Sequence, residues 1–144
     1  VLVRGEKMTL PTKESLPRVA LDSMNHTHEE EVALVHCLAE ALKAPEIDEA
    51  VLNRAIDAWV VHTKAHFEAE NQLMQEIGFP AYTVHRDEHE KVFAQIQQLI
   101  SQFRSDNEPE LLNHFVCEQW SRWFDTHVRS MDMATAMFAK MQGR

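Results

Sequence analysis

The chain has 144 residues, 44% of them hydrophobic, and a formal net charge of −9. That length and composition suit one domain around one core. The acidic balance argues against nucleic acid or an anionic membrane surface, both of which need a basic face. Cys37 and Cys117 form neither a CxxC pair nor a disulfide framework, so a reducing, cytoplasmic compartment is expected. No apolar run approaches the ~20 residues of a membrane span, and the N-terminus lacks the basic-then-apolar layout of a signal peptide.

Residues 1–21, with Pro11 and Pro17, read as an irregular arm, and residues 22–144 as one helical domain. Apolar positions then recur at helical spacing in four segments. The first runs from about Ser23 to Lys43 through Val32, Val35, Ala39 and Leu42. The second runs from about Ile47 to Ile77 through Leu52, Ala55, Trp59 and Leu73. The third runs from about Ala81 to Arg104 through Val92, Ile96, Leu99 and Phe103. The fourth starts near Glu110 and uses Leu112, Val116, Trp120, Trp123, Met131 and Phe138. Pro45 sits where a helix ends or starts, not inside one. Gly78 suits a left-handed helix terminus, with Pro80 near the next start. Ser105, Asp106 and Asn107 offer caps ahead of Pro109. Short loops between long helices make antiparallel neighbours. The fold class is therefore all-α, an up-down-up-down four-helix bundle.

Ionisable residues interrupt every apolar stripe. His28 precedes Val32 and Val35 on the first, and His66 and Glu70 lie along the second. His85 and His89 lead into Val92 and Ile96, and His127 stands between Trp120 and Met131. Measured from the connecting loops, these positions agree in height to within about one turn of ~3.6 residues. Buried polar groups cost free energy unless something satisfies them. A metal held between five imidazoles and a carboxylate would do so. Asp132 follows His127 by five residues, off its face on a regular α-helix. Either Asp132 reaches in from the flank or the helix carries a π-type turn, which is common at functional sites.

The ordered set resembles the hemerythrin family, including the bacterial hemerythrins. It comprises a first-helix His (His28), HxxxE (His66 and Glu70), HxxxH (His85 and His89) and HxxxxD (His127 and Asp132). The "GFP" turn and a Trp four before the last His match too. The resemblance implies two non-haem iron ions with an oxo or hydroxo bridge. It makes His85, His89 and His127 terminal ligands of one iron, and His28 and His66 those of the other, which keeps an open position. Glu70 and Asp132 would be the bridging carboxylates, and Trp123 and Phe124 the bulky walls of the oxygen pocket. Asn25 stands where the family usually has an acidic residue, three before the first His.

The implied function is reversible binding of dioxygen as carrier, store or sensor, without net catalysis. The alternative is a di-iron enzyme or scavenger acting on nitric oxide or peroxide. Imidazole suits iron. Five neutral imidazoles support O–O cleavage less well than the carboxylate-rich sets of other di-iron bundles. No signalling domain, flavin motif or rubredoxin-type motif accompanies the bundle in these residues. A weaker alternative is a structural metal such as zinc. His28 is preferred to His26 because it shares the Val32 and Val35 stripe. His62, one turn before His66, is a candidate for contact with the ligands or the pocket. His36 and His114 read as surface or edge residues. The acidic "HEEEV" run reads as a solvated helix start favoured by the helix dipole. The Met-rich tail reads as core packing, and both cysteines as buried small hydrophobes.

Overall fold

The computed structural model describes residues 10–144. The first nine residues of the expected arm lie outside the described set. The remainder of the arm makes a turn at Thr12–Ser15, where the two side chains and backbone amides bond reciprocally at 2.8 and 3.0 Å. It then buries Leu16, Val19 and Leu21 against the core. Asn25 anchors it: the side-chain oxygen accepts from Val19 N–H at 2.8 Å and the amide donates to the Val19 carbonyl at 2.9 Å. That pairing needs a donor and an acceptor in one side chain, which an ionised Asp lacks.

Three uninterrupted helices follow: α1 (Asp22–Lys43), α2 (Glu49–Ile77) and α3 (Tyr82–Asp106). Asp48 opens α2 by accepting from the Ala50 and Val51 amides at 3.1 and 3.3 Å. Gly78 closes it at φ 64°, and the Phe79 amide returns to the Met74 carbonyl at 2.9 Å. Asn107 does not cap the following helix as expected. It takes the left-handed conformation, φ 55°, and ends α3 by donating to the Phe103 carbonyl at 2.7 Å. Ser105 and Asp106 lie within the last turn of α3.

The fourth rod, residues 109–141, begins with Pro109 in its first turn. It carries two π-type stretches, Phe115–Trp120 and Val128–Asp132. In the first, the buried Ser121 hydroxyl donates to the Val116 carbonyl at 3.0 Å. The second resolves the spacing of His127 and Asp132: five-residue hydrogen bonding brings residues five apart to one face. The same added residue turns Asp132, Thr135, Ala136 and Ala139 inward. Met133 is left half-buried, and Met137 and Met141 are exposed, contrary to the expectation of a methionine core.

α1 packs on α2 and on the fourth rod, α2 packs on α3, and α3 packs on the start of the fourth rod. This closes the four-helix bundle. The end near the 44–48 and 107–108 connections is apolar, built on Leu38, Leu52, Ile56, Trp59, Ile96, Leu112 and Trp120. Trp59 and Trp120, both fully buried, meet edge to face at 6.2 Å. Truncating either would cost about 3–5 kcal/mol. This core holds the helices in register, so the polar residues at the other end inherit fixed positions. Cys37 is exposed and Cys117 half-buried, not core residues as the sequence suggested.

Candidate metal centre

Four helices deliver seven buried side chains to one point. Their ligand atoms form two overlapping groups, each within 4.8 Å: Glu70, His85, His89, His127 and Asp132; and His28, His66, Glu70 and Asp132. Glu70 and Asp132 belong to both, and each divides its two oxygens between them. Glu70 Oε2 lies 2.8 Å from His66 Nε2, while Oε1 lies 3.1 Å from His89 Nε2 and 3.5 Å from His85 Nε2. Asp132 Oδ2 lies 2.9 Å from His28 Nε2, while Oδ1 lies 3.1 Å from both His85 and His127 Nε2. Each carboxylate is thus placed to bridge two cations, one oxygen to each. One side offers three imidazoles and the other two.

These donors fit cations better than they fit one another. His127 Nε2 faces His85 Nε2 at 3.1 Å and His89 Nε2 at 3.2 Å. The far nitrogens are already engaged. His66 Nδ1 lies 2.7 Å from Glu31, His85 Nδ1 2.9 Å from the Thr135 hydroxyl, and His89 Nδ1 2.9 Å from Asn71 Oδ1. An acceptor at Nδ1 holds the proton there and turns the Nε2 lone pair inward, as a ligating histidine requires. With the protons held on the far nitrogens, the Nε2 atoms of His85, His89 and His127 converge on one point, as the ligands of a cation would. Glu70 Oε1 and Asp132 Oδ1 are also buried without a hydrogen-bond partner. Buried carboxylates are costly unless well compensated; these two face only histidine nitrogens, and the same cations would satisfy them.

Taken with only one another for partners, the groups form a dense ion-pair array. Burial alone would push the His28 imidazole down, but hydrogen bonds to Asp132 and Glu70 raise it to about 9. His85 reaches about 9 against the same burial, through the same two carboxylates. Burial opposes the His66 imidazolium too, yet Glu70 and Glu31 hold it well above the usual histidine range. Glu70 and Asp132 stay ionised despite burial, chiefly through His66 and His127 respectively. His89 is pushed down, mainly by burial. Protons therefore compete with cations for this site.

The residues around the seven divide into expected and unexpected. His28 is buried, whereas the His26 side chain is 73% exposed and pairs with Glu30 at 3.1 Å. Phe124 is buried and meets His28 edge to face at 5.6 Å. Trp123 stands elsewhere: it stacks on His127 at 4.5 Å, and its indole donates to Glu88 at 2.9 Å. It therefore flanks the three-histidine side, not the two-histidine side. His62 is half-buried, 3.2 Å from Glu30 and 3.5 Å from Glu31. His114 is exposed, and His36 lies at the edge against the Pro11 carbonyl.

Glu31 corrects the reading of "HEEEV" as a solvated start. Glu29 is half-buried and Glu30 exposed, but Glu31 is fully buried. Burial would raise its carboxyl, yet His66 and His62 bring it down to about 2. It stands three residues after His28, on the same face, and that spacing was the available signal. Thr135 and Asn71 carried no such signal, because the π turn and the α2–α3 packing bring them to their histidines. A cleft of about 310 Å³, lined in part by Met24, Thr27 and Leu73, opens from the surface onto His66 and Glu70.

A four-helix bundle that gathers five histidines around two shared carboxylates has the donor set of a cation-binding centre. The model of the family described as "Hemerythrin HHE cation binding domain" matches residues 17–138. The chain belongs to the hemerythrin family. It is 29% identical over 113 residues to a bacteriohemerythrin of Aquifex aeolicus, covering 78% of this chain and 85% of that protein. It is 30% identical over 110 residues to a bacteriohemerythrin of Ralstonia nicotianae, covering 76% and 74%. A bacteriohemerythrin of Stenotrophomonas maltophilia is 25% identical over 118 residues, covering 82% and 74%. No solved structure matches the chain at a significant level. Among the described residues, no helix is long and apolar enough to cross a membrane.

Proposed function

We propose that the protein binds dioxygen reversibly at a non-haem di-iron centre. The observation that carries this is the division of the Glu70 and Asp132 oxygens between two unequal histidine sets. His85, His89 and His127 with two carboxylate oxygens give one ion five protein donors. His28 and His66 with two carboxylate oxygens give the other four. The second ion is thus the one with room for an exogenous ligand. Mixed imidazole and carboxylate donors suit iron. A structural zinc site would close around four donors, whereas the three-histidine side offers five. A ferrous pair held by these residues would supply two electrons to dioxygen and take them back on its release.

The chain's own groups make reversibility feasible. Phe124 covers His28, and fully buried Trp120 stacks on Phe124 at 4.6 Å, so this wall is apolar. An apolar wall excludes the water that would assist loss of a reduced ligand. The cleft onto His66 and Glu70 gives a small neutral molecule a route from the surface. Asn71, Thr135 and Glu31 hold three imidazoles in place without taking part in exchange.

The test is anaerobic. Iron-loaded, reduced protein is mixed with oxygen, followed in the visible, and then deoxygenated. A new charge-transfer band that disappears on deoxygenation supports the proposal. Irreversible oxidation, with sustained consumption of oxygen, peroxide or nitric oxide when a reductant is supplied, would instead assign a scavenging enzyme.

A further inference from the structure

The five imidazoles of the centre are not supported alike. On the three-histidine side, the partners of His85 and His89 are neutral, Thr135 and Asn71. Among the described residues His127 Nδ1 has no hydrogen-bond partner, and the nearest carboxylate, Glu88, is 4.0 Å away and already accepts from Trp123. On the two-histidine side, His28 Nδ1 also lacks a partner among the described residues. His66 is therefore the only ligand there fixed from behind, and its partner is a carboxylate at 2.7 Å. Glu31 is fully buried, and its second oxygen has no hydrogen-bond partner among the described residues. His62 Nδ1 stands 3.5 Å from the oxygen that faces His66, and His62 Nε2 is tied to Glu30. The core thus contains a third buried carboxylate, off the centre but bonded to one ligand of it.

We propose that Glu31 is a positioning residue for the two-histidine side: its carboxylate fixes His66 through Nδ1 and lends that one ion an anionic donor. Resting on the two-ion reading above, the inference explains how an ion with one fewer protein donor is retained. A carboxylate behind a ligating imidazole raises its basicity, and removing such a partner costs roughly 10–100-fold in metal affinity. It also favours the oxidised ion, because the added negative charge stabilises the higher positive one. The three-histidine ion receives no such charge, so Glu31 makes the two ions electronically unequal.

Glu31→Gln tests this, because the amide oxygen can still accept from His66 Nδ1–H while the charge is lost. Cobalt(II) is titrated into metal-free protein and followed by its visible bands. Wild type should take two ions. In Glu31→Gln one binding step should weaken by roughly 10–100-fold and the other should stay within about twofold. Asn71→Ala should weaken the other step. In the iron-loaded variant, the oxidation equilibrium of one iron should shift at least tenfold, ~59 mV upward in potential. A purely structural hydrogen bond would not produce that shift.

Glu31→Asp keeps the charge but withdraws it, and should fall between the two. It carries the same test if Glu31→Gln does not fold. Equal weakening of both steps, or unchanged affinities and potentials with only a lower melting temperature, would overturn the inference. A wild-type chain that binds fewer than two cobalt ions would overturn the two-ion reading itself, whatever the variants do.

Discussion

Glu70→Gln should abolish both metal sites at once, and it should lower stability both with and without metal. Glu70 Oε2 faces His66 at 2.8 Å and Oε1 faces His89 at 3.1 Å, so neutralising the side chain removes an anionic donor from each ion. Without metal, the substitution removes the counter-charge that helps hold His66 and His85 protonated. The metal-free variant should therefore melt below the wild-type temperature, because removing one partner of a buried ion pair leaves the other uncompensated. With metal, the wild type gains about 4 kcal/mol per ion when free metal stands at a thousand times Kd. Two ions give about 8 kcal/mol, and roughly 2–4 °C per kcal/mol for this size makes a rise of ~15–30 °C. Glu70→Gln should lose nearly all of that rise. Calorimetry with and without added ferrous or cobalt ion, with metal content by elemental analysis, reads both effects. A variant that keeps one tightly bound ion and about half the thermal rise would show that Glu70 serves one ion only.

Other substitutions should separate the remaining roles. His28→Ala should lose the two-histidine ion, while His26→Ala, altering a side chain 73% exposed, should leave both ions in place by elemental analysis. Phe124→Ala should cost about 3–5 kcal/mol in denaturant melts and speed oxidation of the loaded protein in air without removing iron. pH should act oppositely on the two forms. His28 and His85 sit at about 9 when their partners are only side chains, above the unfolded value. Their contribution to metal-free stability is thus complete below about 6.5 and lost as pH rises through 9. Ligation needs the neutral imidazoles, so metal affinity should instead rise with pH across that window. Parallel melting and metal-competition series check the two signs. Metal affinity that is flat, or that falls, between pH 6.5 and 9 would contradict the proton competition.

The helices were legible because their apolar spacing survives the intrusion of histidine. The site was legible because helix height is set by loop position, which the sequence shows directly. Asp132 was recognised as a member of the site while its geometry stayed open. Whether a helix widens to a π turn depends on packing along the whole rod, and no local residue dictates it. The same turn undid the methionine-core reading by rotating Thr135 and Ala136 inward instead. Glu31 was missed for a different reason. Three consecutive glutamates look like one solvated run, although a helix places neighbours about 100° apart and can bury only one of them. Asn107 was misplaced because Asn serves equally as an N-cap and as a left-handed C-terminus. The resemblance implied that Trp123 walls the oxygen pocket, whereas its indole donates to Glu88 and its ring stacks on His127.

Anomalous diffraction at the iron edge, on crystals of the iron-loaded protein, tests the central claim most directly. Two peaks should appear roughly 3.5–4 Å apart, the usual separation in two-metal sites. One should be bound by His85, His89 and His127 and the other by His28 and His66, with Glu70 and Asp132 each spanning both. A single peak, or two peaks without both carboxylates between them, would contradict the account.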